Sequence, residues 1–195
     1  MAYTKTEKVL ADIESRRTKI IATTIDIIAR NGIDVVTTNL VAAEAGVSVG
    51  LLYKHFPDKN EMLAAIASQL LERDLAAMSE AAAAEKGSAA ALVASLLVFY
   101  SRLQKPRLVK AMGEQPVYRT GMRNAFEKLI RAAQVLGTPK EITLAAAATL
   151  GALIAQSDVG GGPKKHAPEA VLFVLRGIGM QSAWSRQAVD KRVGA

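Results

Sequence analysis

The chain contains no cysteine and only two histidines, His55 and His166, far apart in sequence. Thiolate metal sites, thiol nucleophiles and a disulfide scaffold are thereby excluded, and no dense histidine metal site is expected. Aromatic residues make up only 5% of the chain, whereas alanine is abundant, a balance that favours helices over sheet. Long apolar runs are missing too. The most apolar stretches, residues 89–100 and 144–155, hold about twelve residues each and are broken by Ser or Thr, whereas a membrane span needs roughly twenty. The first seventeen residues interleave Lys5, Glu7, Lys8, Asp12, Glu14, Arg16 and Arg17 with short apolar groups, a pattern unlike a signal peptide. A cytoplasmic protein without a membrane partner is expected.

What is present is a chain of 195 residues, half of them hydrophobic and 22% charged. That is enough for one large or two small domains with a real core, and it excludes disorder. The net charge of +7 suggests an acidic partner, but its distribution is instructive. Residues 1–63 carry eight basic and eight acidic side chains, so the whole excess lies beyond them. Bulk charge therefore does not single out the N-terminal part as a nucleic-acid site; local arrangement has to.

Turn and cap signals divide the chain into helices. Ile20, Ile21, Ile25, Ile27 and Ile28 recur at helical spacing in a segment starting near Ser15, and Asn31-Gly32 supplies its stop. Thr37 or Thr38 can cap a short helix to Ala45, ended by Gly46. Ser48 can cap another from Val49 to His55, closed by Pro57. Asp58, with Glu61 three residues on, opens a long helix that reaches the alanine tract at 81–84 and stops near Gly87. Five more helices are expected over about 88–104, 106–112, 117–136, 139–157 and 168–185. The glycines 160–162 with Pro163, Lys164 and Lys165 read as a flexible loop. The fold class is all-α.

The stretch from Thr37 to Phe56 places two short capped helices around a glycine turn, the arrangement of a helix-turn-helix, whose second helix can lie in a DNA major groove. Val41, Ala42 and Ala45 should face inward, Val47 should plug the turn, and Leu52 and Phe56 should pack on the first helix. That leaves Val49, Gly50, Leu51, Tyr53 and Lys54 outward. A generic helical corner has the same spacing. The residues themselves go further. Gly32, Thr37, Val41-Ala42, Ala45-Gly46-Val47-Ser48, Gly50, Leu52-Tyr53, His55-Phe56-Pro57, Lys59 and Leu63 resemble the N-terminal domain of the TetR family of transcriptional regulators, over about residues 15–65.

The resemblance implies a three-helix DNA-binding domain (residues 13–65) followed by a helical ligand-binding and dimerisation domain (66–195). It implies a non-enzymatic repressor that binds a pseudo-palindromic double-stranded operator as a homodimer and is released by a small-molecule effector, with no cofactor. It assigns Thr37, Thr38, Ser48, Tyr53, Lys54, His55 and Lys59 to DNA, mostly to phosphates, and places Asn39, Val49, Gly50 and Leu51 at base edges. Each has a plainer role: Thr37, Thr38 and Ser48 as caps, Tyr53 and His55 as core rings, Lys59 as a solvated lysine. Arg16, Arg17 and Lys19 either touch DNA or lie in solvent. Asn39 and Leu51 depart from the family, which often has Arg at the first position and Thr or Ser at the second.

Beyond Leu63 no phosphate loop, metal spacing or Ser/His/Asp set appears, so an enzyme finds no residues to carry it. The ligand is expected among Leu96, Phe99, Tyr100, Met112, Tyr118, Met122 and Phe126, with Phe173 a further candidate; all are equally plain core residues. Arg119 and Arg123 read as solvated. Leu144, Leu150, Leu153 and Ile154 with Val171, Leu172, Leu175 and Ile178 are expected to form the dimer faces. The competing function is a helical small-molecule-binding protein with no role in gene control, which leaves the helix-turn-helix unexplained.

Overall fold

A computed structural model describes residues 7–136, 138–156, 163–180 and 182–193. They form ten α-helices and, among the described residues, no strand. In chain order these are α1 (Glu7–Asn31), α2 (Thr38–Ala45), α3 (Val49–His55), α4 (Lys59–Ala83), α5 (Ser88–Arg102), α6 (Pro106–Gly113), α7 (Pro116–Ala133), α8 (Pro139–Gln156), α9 (Pro163–Gly177) and α10 (Ser182–Val193).

The N-terminal helices pack through a core of Ile20, Ile27, Ile28, Val41, Ala45, Leu52, Phe56, Met62 and Ile66, all buried. α1 ends where Gly32, at φ +91°, returns its N–H to the Ile28 carbonyl at 2.8 Å, a left-handed cap. The caps read from the sequence are in place. Thr37 accepts from the Leu40 amide at 3.2 Å, Ser48 from Leu51 at 3.1 Å and Asp58 from Glu61 at 2.8 Å. α1 starts eight residues before the Ser15 that the sequence suggested, because helix formers continue upstream with only a partly apolar face.

α4 leaves the three-helix unit and runs 25 residues, about 37 Å at 1.5 Å per residue. It packs on α5 and α7, while α5 also meets α9, and α8 packs on α7 and α9. α6 lies against α1: Lys105 pairs with Asp26 at 3.2 Å, and Arg107 donates to the Arg30 carbonyl. The long N-terminal helix and the C-terminal bundle thus touch at a side-chain seam as well as through α4.

The last segment corrects the sequence reading. The helix expected over 168–185 is two helices. α9 begins at Pro163, so Pro163, Lys164 and Lys165 are its first turn rather than loop. Proline suits that position because its missing N–H would have no helical partner there. The glycines 160–162 lie outside the described residues. Pro168 sits inside α9 near its start. α9 stops because Gly179, at φ +85°, closes it: Met180 donates to Leu175 and Gly179 to Arg176, each at 3.0 Å, a double-bonded glycine cap. α10 then folds back onto α9 and α5, with Arg192 paired to Glu85.

Candidate nucleic-acid interface

The turn between α2 and α3 is set by one glycine. Gly46 stands at φ +65°, its N–H on Ala43 at 3.2 Å and the next, from Val47, on Ala42 at 3.0 Å. This cap ends α2 within one residue and lets Ser48 start α3 almost at once. Val41, Ala42, Ala45, Leu52 and Phe56 are buried on the inner side and Val47 packs against them, as the spacing requires.

The outer side carries most of the expected DNA-facing residues. Thr37, Asn39, Ser48, Gly50 and Lys54 are exposed, as are Val49 and Tyr53. Tyr53 Oη lies 3.3 Å from Thr38 Oγ1, tying the start of α2 to the middle of α3. A Cβ on Gly50 would meet nothing within 4 Å, so the protein's own packing does not demand glycine there.

Three residues sit differently from expectation. Leu51 is half-buried rather than outward. Lys59 turns its ammonium to the Ile33 carbonyl at 3.1 Å, bracing the loop after α1. Arg17 lies against α3: Nη1 donates to the His55 carbonyl at 3.3 Å, and the guanidinium covers the Phe56 ring. His55 itself is half-buried, its ring 6.5 Å from that of Phe56. Arg16 instead pairs with Asp12 at 2.7 Å on the surface, and Lys19 is exposed.

In the C-terminal bundle the expected ligand residues separate into two groups. Met112 and Tyr118 line a cleft of about 340 Å³, open to solvent, between α1, α4, α5, α6 and α7. Leu96, Phe99, Tyr100, Met122 and Phe126 are buried but line neither this cleft nor a second one between α4, α5 and α7. Phe99 and Phe126 meet edge to face at 5.4 Å, a core contact. Phe173 is exposed on α9. Arg119 is exposed, and Arg123 lies 3.7 Å from Glu127.

The sequence reading missed the polar centre of the first cleft. Asp74, 7% exposed, accepts from Arg102 Nε at 2.7 Å and from Tyr118 Oη at 2.6 Å. Burial and the adjacent carboxylate push the Tyr118 hydroxyl far above its usual range. A signal was available: Ile66, Leu70, Asp74 and Met78 follow one another at four-residue steps, so one carboxylate occupies an apolar register. Among the described residues no group of acidic or histidine side chains could hold a metal ion, and no helix is long and apolar enough to cross a membrane.

Comparison with curated protein sequences finds no match. Residues 20–66 match the sequence model of the bacterial regulatory proteins, tetR family. Solved structures extend the likeness in fold. A tetR-family regulatory protein from Rhodococcus RHA1 is 22% identical, with TM-score 0.67 over 85% of this chain and 98% of that one. RolR without ligand is 20% identical, with TM-score 0.65 over 89% and 96%; it has also been solved with resorcinol. A gamma-butyrolactone receptor is 19% identical, with TM-score 0.65 over 94% and 98%. With a capped helix-turn-helix lying inside the matched segment, residues 20–66 are the N-terminal domain of the bacterial regulatory proteins, tetR family.

Proposed function

We propose that this protein is a homodimeric repressor that reads a pseudo-palindromic operator through residues 13–65 and is released when a small molecule enters the bundle of residues 66–195. The observation that carries the reading is the two-sided α2–α3 unit, with its apolar residues buried inward and Asn39, Val49, Gly50 and Lys54 exposed outward. Each recognition helix enters one major groove, with half-sites one turn or ~34–36 Å apart. Thr37, Thr38, Ser48, Tyr53, Lys54 and His55 set register through phosphates. Asn39 prefers adenine, whose N6 and N7 match its amide, and Val49 reads a thymine methyl or excludes water. Leu51, half-buried, supports α3 more than it reads, and Lys59 braces Ile33.

Release follows from the position of the cleft. Its walls include Ile25 of α1, Asp74 of α4 and Leu108 of α6, so an occupant touches one helix of the DNA-binding unit, the helix that leaves it and the one packed on it. A ligand acts by favouring the form in which two recognition helices misfit the operator, with coupling of ~1–3 kcal/mol typical. RolR, of the same fold, has been solved with a small molecule bound, which supports an effector site without identifying the effector here.

Selection of sites from random DNA, followed by a gel shift on the winning sequence, tests the reading. A two-fold motif bound by a dimer is the expected result. Asn39→Ala should relax base preference at one position per half-site, a loss of ~1–3 kcal/mol of discrimination. Failure to enrich any motif overturns sequence-specific binding. An unchanged motif for Asn39→Ala makes Asn39 a backbone contact.

A further inference from the structure

The cleft between α1, α4, α5, α6 and α7 has an uneven charge balance. Three cations line it, Arg73, Arg102 and Lys105, against the single carboxylate of Asp74. Asp74 is already committed, one oxygen to Arg102 and the other to Tyr118. Lys105 is paired with Asp26. Arg73 has no hydrogen bond or ion pair among the described residues, and Arg102 uses only Nε on Asp74. The pocket is therefore one negative charge short of balance. Gln104 adds a polar amide that donates to the Ser101 carbonyl, and the other walls, Ile25, Leu70, Leu103, Leu108, Val109 and Met112, are apolar.

We propose that this cleft binds a small apolar monocarboxylate, its acid group on Arg73 and the free Nη groups of Arg102 and its body against the apolar walls. The inference rests on the effector reading of the same cleft and adds the chemical class. A planar guanidinium fork matches a carboxylate in two hydrogen bonds. A cationic ligand finds three cations and a carboxylate whose two oxygens are already engaged. A phosphate monoester brings nearly twice the charge the site lacks. An acid group near Lys105 also competes with Asp26 for its ammonium, and that pair, with Arg107 on the Arg30 carbonyl, ties the start of α6 to α1. Occupancy of the pocket thus weakens the seam between bundle and DNA-binding unit.

The test compares hexanoate, octanoate, benzoate and phenylacetate with the corresponding amides, by calorimetry and by release of the selected operator, on the wild-type dimer and on Arg73→Gln. Arg73 is exposed and unpaired, so the variant keeps its fold. The expected result is that at least one acid binds and releases DNA, its amide binds about tenfold more weakly or worse, and Arg73→Gln loses a similar factor for the acid alone, the scale of one charge-assisted hydrogen bond. Amides that bind and release as well as the acids overturn the anionic class and leave the effector reading standing. Acid binding unchanged in Arg73→Gln overturns the assignment of the acid group. If neither acids nor amides bind, and a broad neutral lipophilic set also leaves operator affinity unmoved, the effector reading falls with it.

Discussion

The Arg17 guanidinium lies 4.5 Å from the centroid of the Phe56 ring, while its Nη1 donates to the carbonyl of His55. His55 is the last residue of α3, and carbonyls at a helix C-terminus have no partner within the helix. A cation there also suits the negative end of the helix dipole. Arg17 thus joins α1 to the far end of α3 and fixes the angle between them.

Replacing Arg17 by Met should remove both contacts and cost about 1–2 kcal/mol in urea unfolding. Operator affinity should fall with the salt dependence unchanged, and Arg17→Lys should recover only part of the loss, because lysine lacks the planar fork. If stability holds while the slope of affinity against salt drops by about one phosphate, Arg17 contacts DNA directly.

Gly46 and Gly50 should respond in opposite ways to alanine. Gly46 stands at φ +65°, where an L side chain is strained, although a Cβ would meet only Lys19 Nζ at 3.7 Å. Its cost is conformational, about 1–2 kcal/mol. Gly50 is helical and open around its Cβ, so Gly50→Ala should stabilise the free protein by about 0.5–1 kcal/mol. In the proposed complex the same methyl lies toward the groove, so operator binding should weaken. Thermal melts with and without operator separate the two effects; tighter or equal binding by Gly50→Ala removes Gly50 from the DNA face.

The contrast between these sites shows what a sequence states openly. Caps and turns are local: Thr37, Gly46, Ser48 and Asp58 each act within a few residues, so composition and spacing located them. α9 ran past its expected start because a proline both begins a helix and interrupts one, and Pro163 and Pro168 supply both meanings five residues apart. The Asp74–Arg102–Tyr118 centre joins three helices, with partners 28 and 44 residues away, and no local rule reaches that far. Arg17 and Lys59 were legible as cations near the site, but their carbonyl partners, His55 and Ile33, lie 38 and 26 residues off.

Tyr118 gives the bundle a pH dependence. Burial and Asp74 hold its hydroxyl protonated well above the ordinary tyrosine value of about 10. The unfolded chain therefore loses this proton first, so the stabilisation is complete below about pH 10 and declines as pH rises beyond it. Tyr118→Phe should flatten that part of the alkaline decline. Near neutral pH it leaves one Asp74 oxygen without its donor, at a cost of about 1–3 kcal/mol. An unchanged alkaline slope in denaturant melts would show that the hydroxyl does not hold its proton this way.

The dimer faces need a correction that yields the sharpest test. Leu150, Leu153, Val171, Leu172, Leu175 and Ile178, expected at a subunit contact, are buried within one chain. Of the expected residues Leu144, at 61%, is exposed and Ile154 half-buried; beside Leu144, α8 and α9 expose Phe173, at 65%, and the small residues Ala147, Ala148, Gly151 and Gly177. Small side chains let helices of two copies approach closely, and an isologous contact places the same patch on both. Phe173→Glu should therefore leave stability within about 0.5 kcal/mol at monomer concentrations, as for an ordinary surface change, yet give a monomer that no longer holds a two-fold operator. Leu175→Glu places an unpaired charge in the core and should unfold the bundle before any question of pairing arises. Light scattering at micromolar protein and the operator gel shift distinguish the two. A Phe173→Glu protein that stays dimeric moves the subunit contact off this face of α8 and α9.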